Sequence, residues 1–181
     1  MQFFFLNVNE TLIGILNEAQ ACKVDEAKYT ASFSFEECAD FSFDDVYYVG
    51  FNDIDGNLVF YEVRDIERSN ANGIVSIEAE HAAFAELLEE VCEGKAVQGA
   101  TAGYAAGRIL EGSRWRIKEA DTTPIMSTTF YYKNKWECFE TIASATNCAF
   151  YFGWTITGNV VTDRHVTVKA RRGAARGKRF D

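Results

Sequence analysis

Val46-Tyr47-Tyr48-Val49-Gly50-Phe51, then Asp55-Gly56-Asn57, then Leu58-Val59-Phe60-Tyr61-Glu62-Val63 decide the fold of the first half of this chain. Two β-branched and aromatic runs flank a turn whose glycine can take the positive φ of a tight hairpin. Asp53-Ile54-Asp55-Gly56 resembles the opening of a calcium loop. It lacks the later bidentate glutamate at the required spacing and reads as a turn. A second hairpin follows, with Tyr61 to Glu67 and Ile74 to Ala79 bracketing Asn70-Ala71-Asn72-Gly73. Upstream, Phe33-Ser34-Phe35 and Phe41-Ser42-Phe43 alternate aromatic with small polar residues, the period of a sheet with one buried face. Thr11 to Leu16 fits another strand or a short turn. Successive hairpins predict a strand-rich, barrel-like or sandwich domain over residues 1–80.

The period changes after His81. Phe84, Leu87, Leu88 and Val91 fall at i, i+3, i+4 and i+7, with Glu86, Glu89, Glu90 and Glu93 on the other face, which predicts an amphipathic helix. A second helix over Thr101 to Glu111 places Ala102, Ala105, Ala106 and Ile109 on one side, with Gly112 as its C-cap. Arg114 to Lys118 and Thr128 to Tyr132 return to strand, with Trp115 and Phe130 in the core. Asn134 and Glu137 have the spacing of a capping box, and Trp136, Phe139 and Ala143 continue one helical face. Cys148 to Ile156 and Val160 to Lys169 form a hairpin around Thr157-Gly158-Asn159. The fold class is therefore α+β, a strand-rich barrel-like domain with a smaller mixed α/β subdomain.

At 181 residues the chain can bury a core without disulfide or metal support, and 48% apolar and 14% aromatic residues exclude disorder. The net charge of −9 is unevenly spread. Residues 1–100 hold 20 Asp or Glu against 5 Lys or Arg, a net −15; residues 101–181 hold 7 against 13, a net +6. Such asymmetry describes either two solvated surfaces or an assembly surface, the acidic part of one subunit facing the basic part of its neighbour. Cys22, Cys38, Cys92, Cys138 and Cys148 are odd in number and contain no Cys-x-x-Cys pair, so they read as reduced, buried small hydrophobes in a protein that folds in the cytoplasm. Met1 to Leu6 has no basic flank and is too short for a signal peptide. No segment approaches the ~20 apolar residues of a membrane span.

The search for chemistry is mostly negative. A His-Glu-x-x-His zinc helix is absent, since His81 is followed by Ala82-Ala83-Phe84, and His81 reads as a capping or packing residue. Cys148 and His165 are the one pair to consider for a thiol-imidazole dyad, because both lie on the predicted terminal hairpin. Cys148 sits beside Ala149-Phe150-Tyr151, an apolar setting that favours an inert thiol. The glycines from Gly94 to Gly107 are not followed by Gly-Lys-Ser/Thr, so nucleotide binding has no support. No catalytic, metal or cofactor site is expected. Arg171, Arg172, Arg176, Lys178 and Arg179 form a terminal cationic cluster without interleaved aromatic platforms. In an acidic chain this cluster suits a subunit interface with carboxylates better than nucleic acid. A carbohydrate-binding module would need exposed aromatic platforms, but Trp115, Trp136 and Trp154 fall at core positions by pattern.

An ordered series of short motifs carries a family resemblance. It runs from Glu80-His81-Ala82-Ala83 through Glu111-Gly112-Ser113-Arg114-Trp115, Ser127-Thr128-Thr129-Phe130-Tyr131-Tyr132 and Asn134-Lys135-Trp136-Glu137 to Arg171-Arg172-Gly173 and Gly177-Lys178-Arg179-Phe180. In order and spacing the series resembles the amino-terminal region of the siphophage tail-associated proteins, also called phage minor structural protein or prophage tail endopeptidase. The resemblance implies a baseplate-hub fold: a β-rich barrel-like domain over 1–80, a mixed α+β subdomain over 81–165, and a strand returning toward the barrel over 166–181, where the chain stops short of further domains. It implies a structural role in a phage or prophage tail tip, reached by assembly in the host cytoplasm. Copies of the chain would form a ring, a trimer by resemblance, linking the tail tube to distal domains. Neighbouring tail proteins would be partners, membrane and nucleic acid would not, and the host cell wall would be met only through distal domains. The alternative is a peptidoglycan endopeptidase active in cell-wall penetration.

Overall fold

A computed structural model describes residues 1–69 and 71–171. Seven strands from the first half form one sheet: β1 (Phe3–Leu6), β2 (Leu12–Leu16), β3 (Ala21–Asp25), β4 (Thr30–Glu36), β5 (Tyr48–Asn52), β6 (Leu58–Ser69) and β7 (Ile74–His81), in the order β2-β1-β5-β6-β7-β4-β3 and antiparallel throughout. Both predicted hairpins are present. Asn52 pairs with Leu58 across the Gly56 turn, and Ser69 pairs with Ile74; Gly56 and Gly73 have φ of 81° and 64°.

The expected barrel does not close: β2 and β3 are the two edge strands of an open sheet. The sheet is nevertheless strongly curled. β1 and β4 lie four strand spacings apart, ~19 Å if the sheet were flat. Yet the Phe3 and Phe33 ring centroids are 6.0 Å apart, and those of Phe5 and Phe35 are 5.1 Å apart. Instead of a closing strand pair, rings fill the gap. Phe41-Ser42-Phe43, predicted as a strand, turns because the Ser42 hydroxyl accepts from the Asp44 amide (3.2 Å) and caps a 3-10 turn, Phe43–Asp45. Phe41 and Phe43 still reach the core, with centroids 4.9 and 5.6 Å from Phe5. Gly14 on β2 leaves room for the Phe41 ring, where a Cβ would come within 2.2 Å.

The two faces of the sheet have different tasks. Phe3, Phe5, Val49, Phe51, Tyr61, Val75 and Ile77 join Phe33 and Phe35 in the inner core. Leu6, Tyr48 and Phe60 on the opposite face pack against the second half of the chain. Being covered on both sides, β1, β5 and the start of β6 read as unbroken apolar runs; β4, covered on one, alternates.

The second half comprises α1 (Ala82–Glu89), β8 (Val91–Cys92), β9 (Lys95–Ala100), α2 (Ala102–Ile109), β10 (Arg116–Ala120), β11 (Met126–Phe130), β12 (Lys133–Asn134), α3 (Lys135–Thr146), β13 (Cys148–Thr157) and β14 (Val160–Ala170). α1 ends at Glu89, two residues short of the predicted Val91, which lies exposed in β8. The capping reading of Asn134 holds: its side chain accepts from the Glu137 amide at 2.8 Å. β14 pairs antiparallel with β13 and parallel with β10. Residues 166–170, expected to lead back toward the first sheet, continue β14 in this smaller sheet; 172–181 lie outside the described residues. The hairpin's tip does reach the first sheet's edge, where Leu12 donates to the Asn159 carbonyl (2.7 Å). Of the cysteines, Cys92, Cys138 and Cys148 are buried, Cys38 is half-buried and Cys22, expected inside, is exposed on edge strand β3.

Candidate functional site

The hairpin that carries both Cys148 and His165 also keeps them apart. Cys148 pairs with Ala170 and Gly153 with His165, five residues along the strand, or ~17 Å. A nucleophile and its base must come within ~3 Å. Burial pushes the Cys148 thiol pKa up, against the weaker effect of the Thr146 hydroxyl, which donates to Sγ at 3.3 Å. His165 lies over Gly153, its Nδ1 3.3 Å from an Asp163 carboxylate oxygen; burial first, then Lys118, holds its pKa down. Among the described residues, no three His, Cys, Asp or Glu side chains converge to hold a metal ion. Trp115, Trp136 and Trp154 are buried, so they offer no sugar platform; Tyr131 and Tyr132 are exposed.

His81 closes β7 and caps α1, its Nδ1 accepting from the Phe84 amide at 3.4 Å. The Tyr61 and Phe152 rings stand 5.4 and 6.1 Å from the imidazole, and desolvation lowers its pKa to about 4. The folded state therefore resists a proton that the unfolded chain accepts near 6.5. His81 contributes stability that is complete above about pH 6.5 and lost as pH falls toward 4, on the order of 3 kcal/mol. Urea unfolding at pH 7 and pH 4.5 checks this. His81→Asn keeps a cap acceptor and is expected to lose markedly less stability between the two pH values than the parent. An equal loss would show that the imidazole is not the titrating group.

A dense polar arrangement joins the two halves. Arg164, 2% exposed, stands opposite Trp154 in the β13–β14 register, its guanidinium carbon 4.0 Å from that ring's centroid and 5.9 Å from that of Trp115. The guanidinium donates to Glu10, ahead of β2, and to Glu86 on α1. Glu86 also accepts from the Trp115 indole (2.8 Å), and Glu10 from Arg114. Lys135, buried at the start of α3, pairs with Glu90 at 2.6 Å. Part of the charge asymmetry between the halves is thus neutralised within one chain. Beside this cluster lies a polar cleft of about 730 Å³, lined by carboxylates Glu62, Glu86, Glu89 and Glu90 and by Arg64 and Arg114. Arg64 is paired to Glu62 (2.9 Å) and Glu80 (2.6 Å). None of this was legible before folding, because its members lie as far apart as Glu10 and Arg164.

Of the cationic cluster, Arg171 is exposed just past β14, its amide donating to the Asn147 carbonyl at 2.9 Å. Arg172, Arg176, Lys178 and Arg179 lie outside the described residues.

No protein-family model matches the chain, and no curated protein matches it. Among solved structures it is similar to the crystal structure of prophage tail protein gp18 from Listeria monocytogenes EGD-e, with a TM-score of 0.54 and 11% sequence identity. The match covers 94% of this chain and 50% of that one, so the chain spans about half the length of its structural neighbour. Among the described residues, the strand-rich architecture with three α-helices thus resembles the fold of that prophage tail protein.

Proposed function

We propose that this chain is a structural component of a phage or prophage tail. It would work at the tail tip as a hub-like module whose copies assemble into a ring, a trimer by family resemblance, between the tail tube and distal domains. The observation that carries the reading is the fold, shared with a prophage tail protein along 94% of the chain. Against the endopeptidase alternative, which the family resemblance also implies, stands the hairpin register that holds Cys148 and His165 apart. In this reading the chain performs no bond chemistry. Its work is contact, with Arg171, Arg172, Arg176, Lys178 and Arg179 facing carboxylates of a neighbour.

Immunogold electron microscopy of phage particles that carry the chain tests the role. Label confined to the tail tip, and particles without that structure when the gene is deleted, are the expected results. Label along the tube or on the capsid would overturn the tail-tip assignment, and absence of label from intact particles would overturn the structural role altogether.

A further inference from the structure

An apolar trough of about 480 Å³ runs between the end of β3, the β5–β6 turn and the middle of β13. Phe51, Tyr61, Trp136 and Phe152 are among its lining residues, and Glu26, Asp53 and Asp55 put carboxylates beside them. Ile54, also part of the lining, is 100% exposed and adds nothing to the core of a single chain. A smaller groove of about 230 Å³ shares Tyr29, Trp136, Phe150 and Phe152 with the trough and has Arg171 among its lining residues. The four rings keep only 6–9% exposure, and together with the exposed Ile54 and the acidic side chains of the lining they give the trough the character of a docking site for a basic segment bearing an apolar anchor.

We propose that this trough receives the segment Arg172–Phe180 of a second copy of the chain, an inference that rests on the assembly reading above. Arg172, Arg176, Lys178 and Arg179 match Glu26, Asp53 and Asp55 in sign, and Phe180 supplies a ring for the apolar floor. Gly173, Ala174, Ala175 and Gly177 carry little side chain to hold the backbone away from it. The nine residues of this segment reach at most ~32 Å when extended, enough to cross from one subunit to the next. Strand direction favours a neighbour over the chain's own segment. β14 runs from Val160, beside Thr157, to Ala170, beside Cys148, and so leaves Phe150 to Phe152 behind it.

Charge reversal on the full chain, read by sedimentation velocity, tests the pairing. One variant carries Glu26→Lys and Asp55→Lys; the other carries Arg172→Glu, Arg176→Glu, Lys178→Glu and Arg179→Glu. Each alone is expected to self-associate at least tenfold more weakly than the parent. Mixed together they are expected to form a heterodimer, because the unaltered segment of the first fits the unaltered trough of the second. That recovery would also show both variants to be folded. If the parent self-associates and both reversed chains do so equally well, the trough is not the contact and this inference fails while the assembly reading stands. A parent that stays monomeric at every concentration removes both. Weakened association in each variant without recovery on mixing would overturn the pairing of this segment with this trough.

Discussion

Arg164→Ala is expected to destabilise the protein by about 3–5 kcal/mol, the range for breaking a buried ion pair from one side. The size follows from what is left behind. Glu10 and Glu86 keep side-chain exposures of 14% and 18%, and removing the guanidinium leaves both carboxylates desolvated without their shared partner. Glu86 would retain the Trp115 indole, and Glu10 would retain Arg114. The substitution also strips a cation from the face of Trp154 and opens space between two tryptophans. Arg114→Ala is the control: it pairs with the same Glu10, but its side chain is 60% exposed, and its loss is expected to cost under about 1 kcal/mol. Replacing the whole set, Glu10→Gln and Glu86→Gln with Arg164→Met, leaves no orphaned charge and should recover most of the lost stability. Urea unfolding at pH 7 gives all three values. A loss below about 1 kcal/mol for Arg164→Ala would mean that the cluster does not hold the halves together.

Much of the first sheet could be read from the chain because its signals are local. A hairpin is fixed by a glycine turn and the runs beside it, so β5, β6, β7 and the terminal β13–β14 hairpin emerged close to their observed bounds. α3 was legible for the same reason, since Asn134 and Glu137 are three residues apart. β3 was missed because an edge strand facing solvent carries no apolar rhythm, and β9 because Gly94 and Gly99 break its pattern. The open sheet was read as a barrel because closure depends on whether β2 and β3 meet, a long-range fact that no periodicity encodes. The Cys148 and His165 pairing was proposed from shared membership of a hairpin; only register showed them five residues out of step. For the same reason the Glu10–Arg164–Glu86 cluster, assembled from the beginning, middle and end of the chain, left no trace in spacing.

Phe5→Ala is expected to cost about 3–5 kcal/mol and to test the curl of the sheet as well as its stability. Phe5 is completely buried, with Phe35, Phe41 and Phe43 centroids at 5.1, 4.9 and 5.6 Å. Phe35 comes from β4, four strand positions from β1, and Phe41 and Phe43 come from the turn that fills the unclosed gap. In a flat sheet Phe5 would meet only its cross-strand neighbours, and truncation would open one side of a shallow surface. In the curled sheet it removes the ring on which β1, β4 and the Phe41–Phe43 turn converge, so the cavity has few routes to collapse. Ile54→Ala, fully exposed, should change stability by less than about 0.5 kcal/mol. Phe41→Ala, made beside Phe5→Ala in a double-mutant cycle, separates the two geometries. A coupling of about 1 kcal/mol or more is expected if the rings share one core, and additive losses would mean that the turn does not plug the sheet.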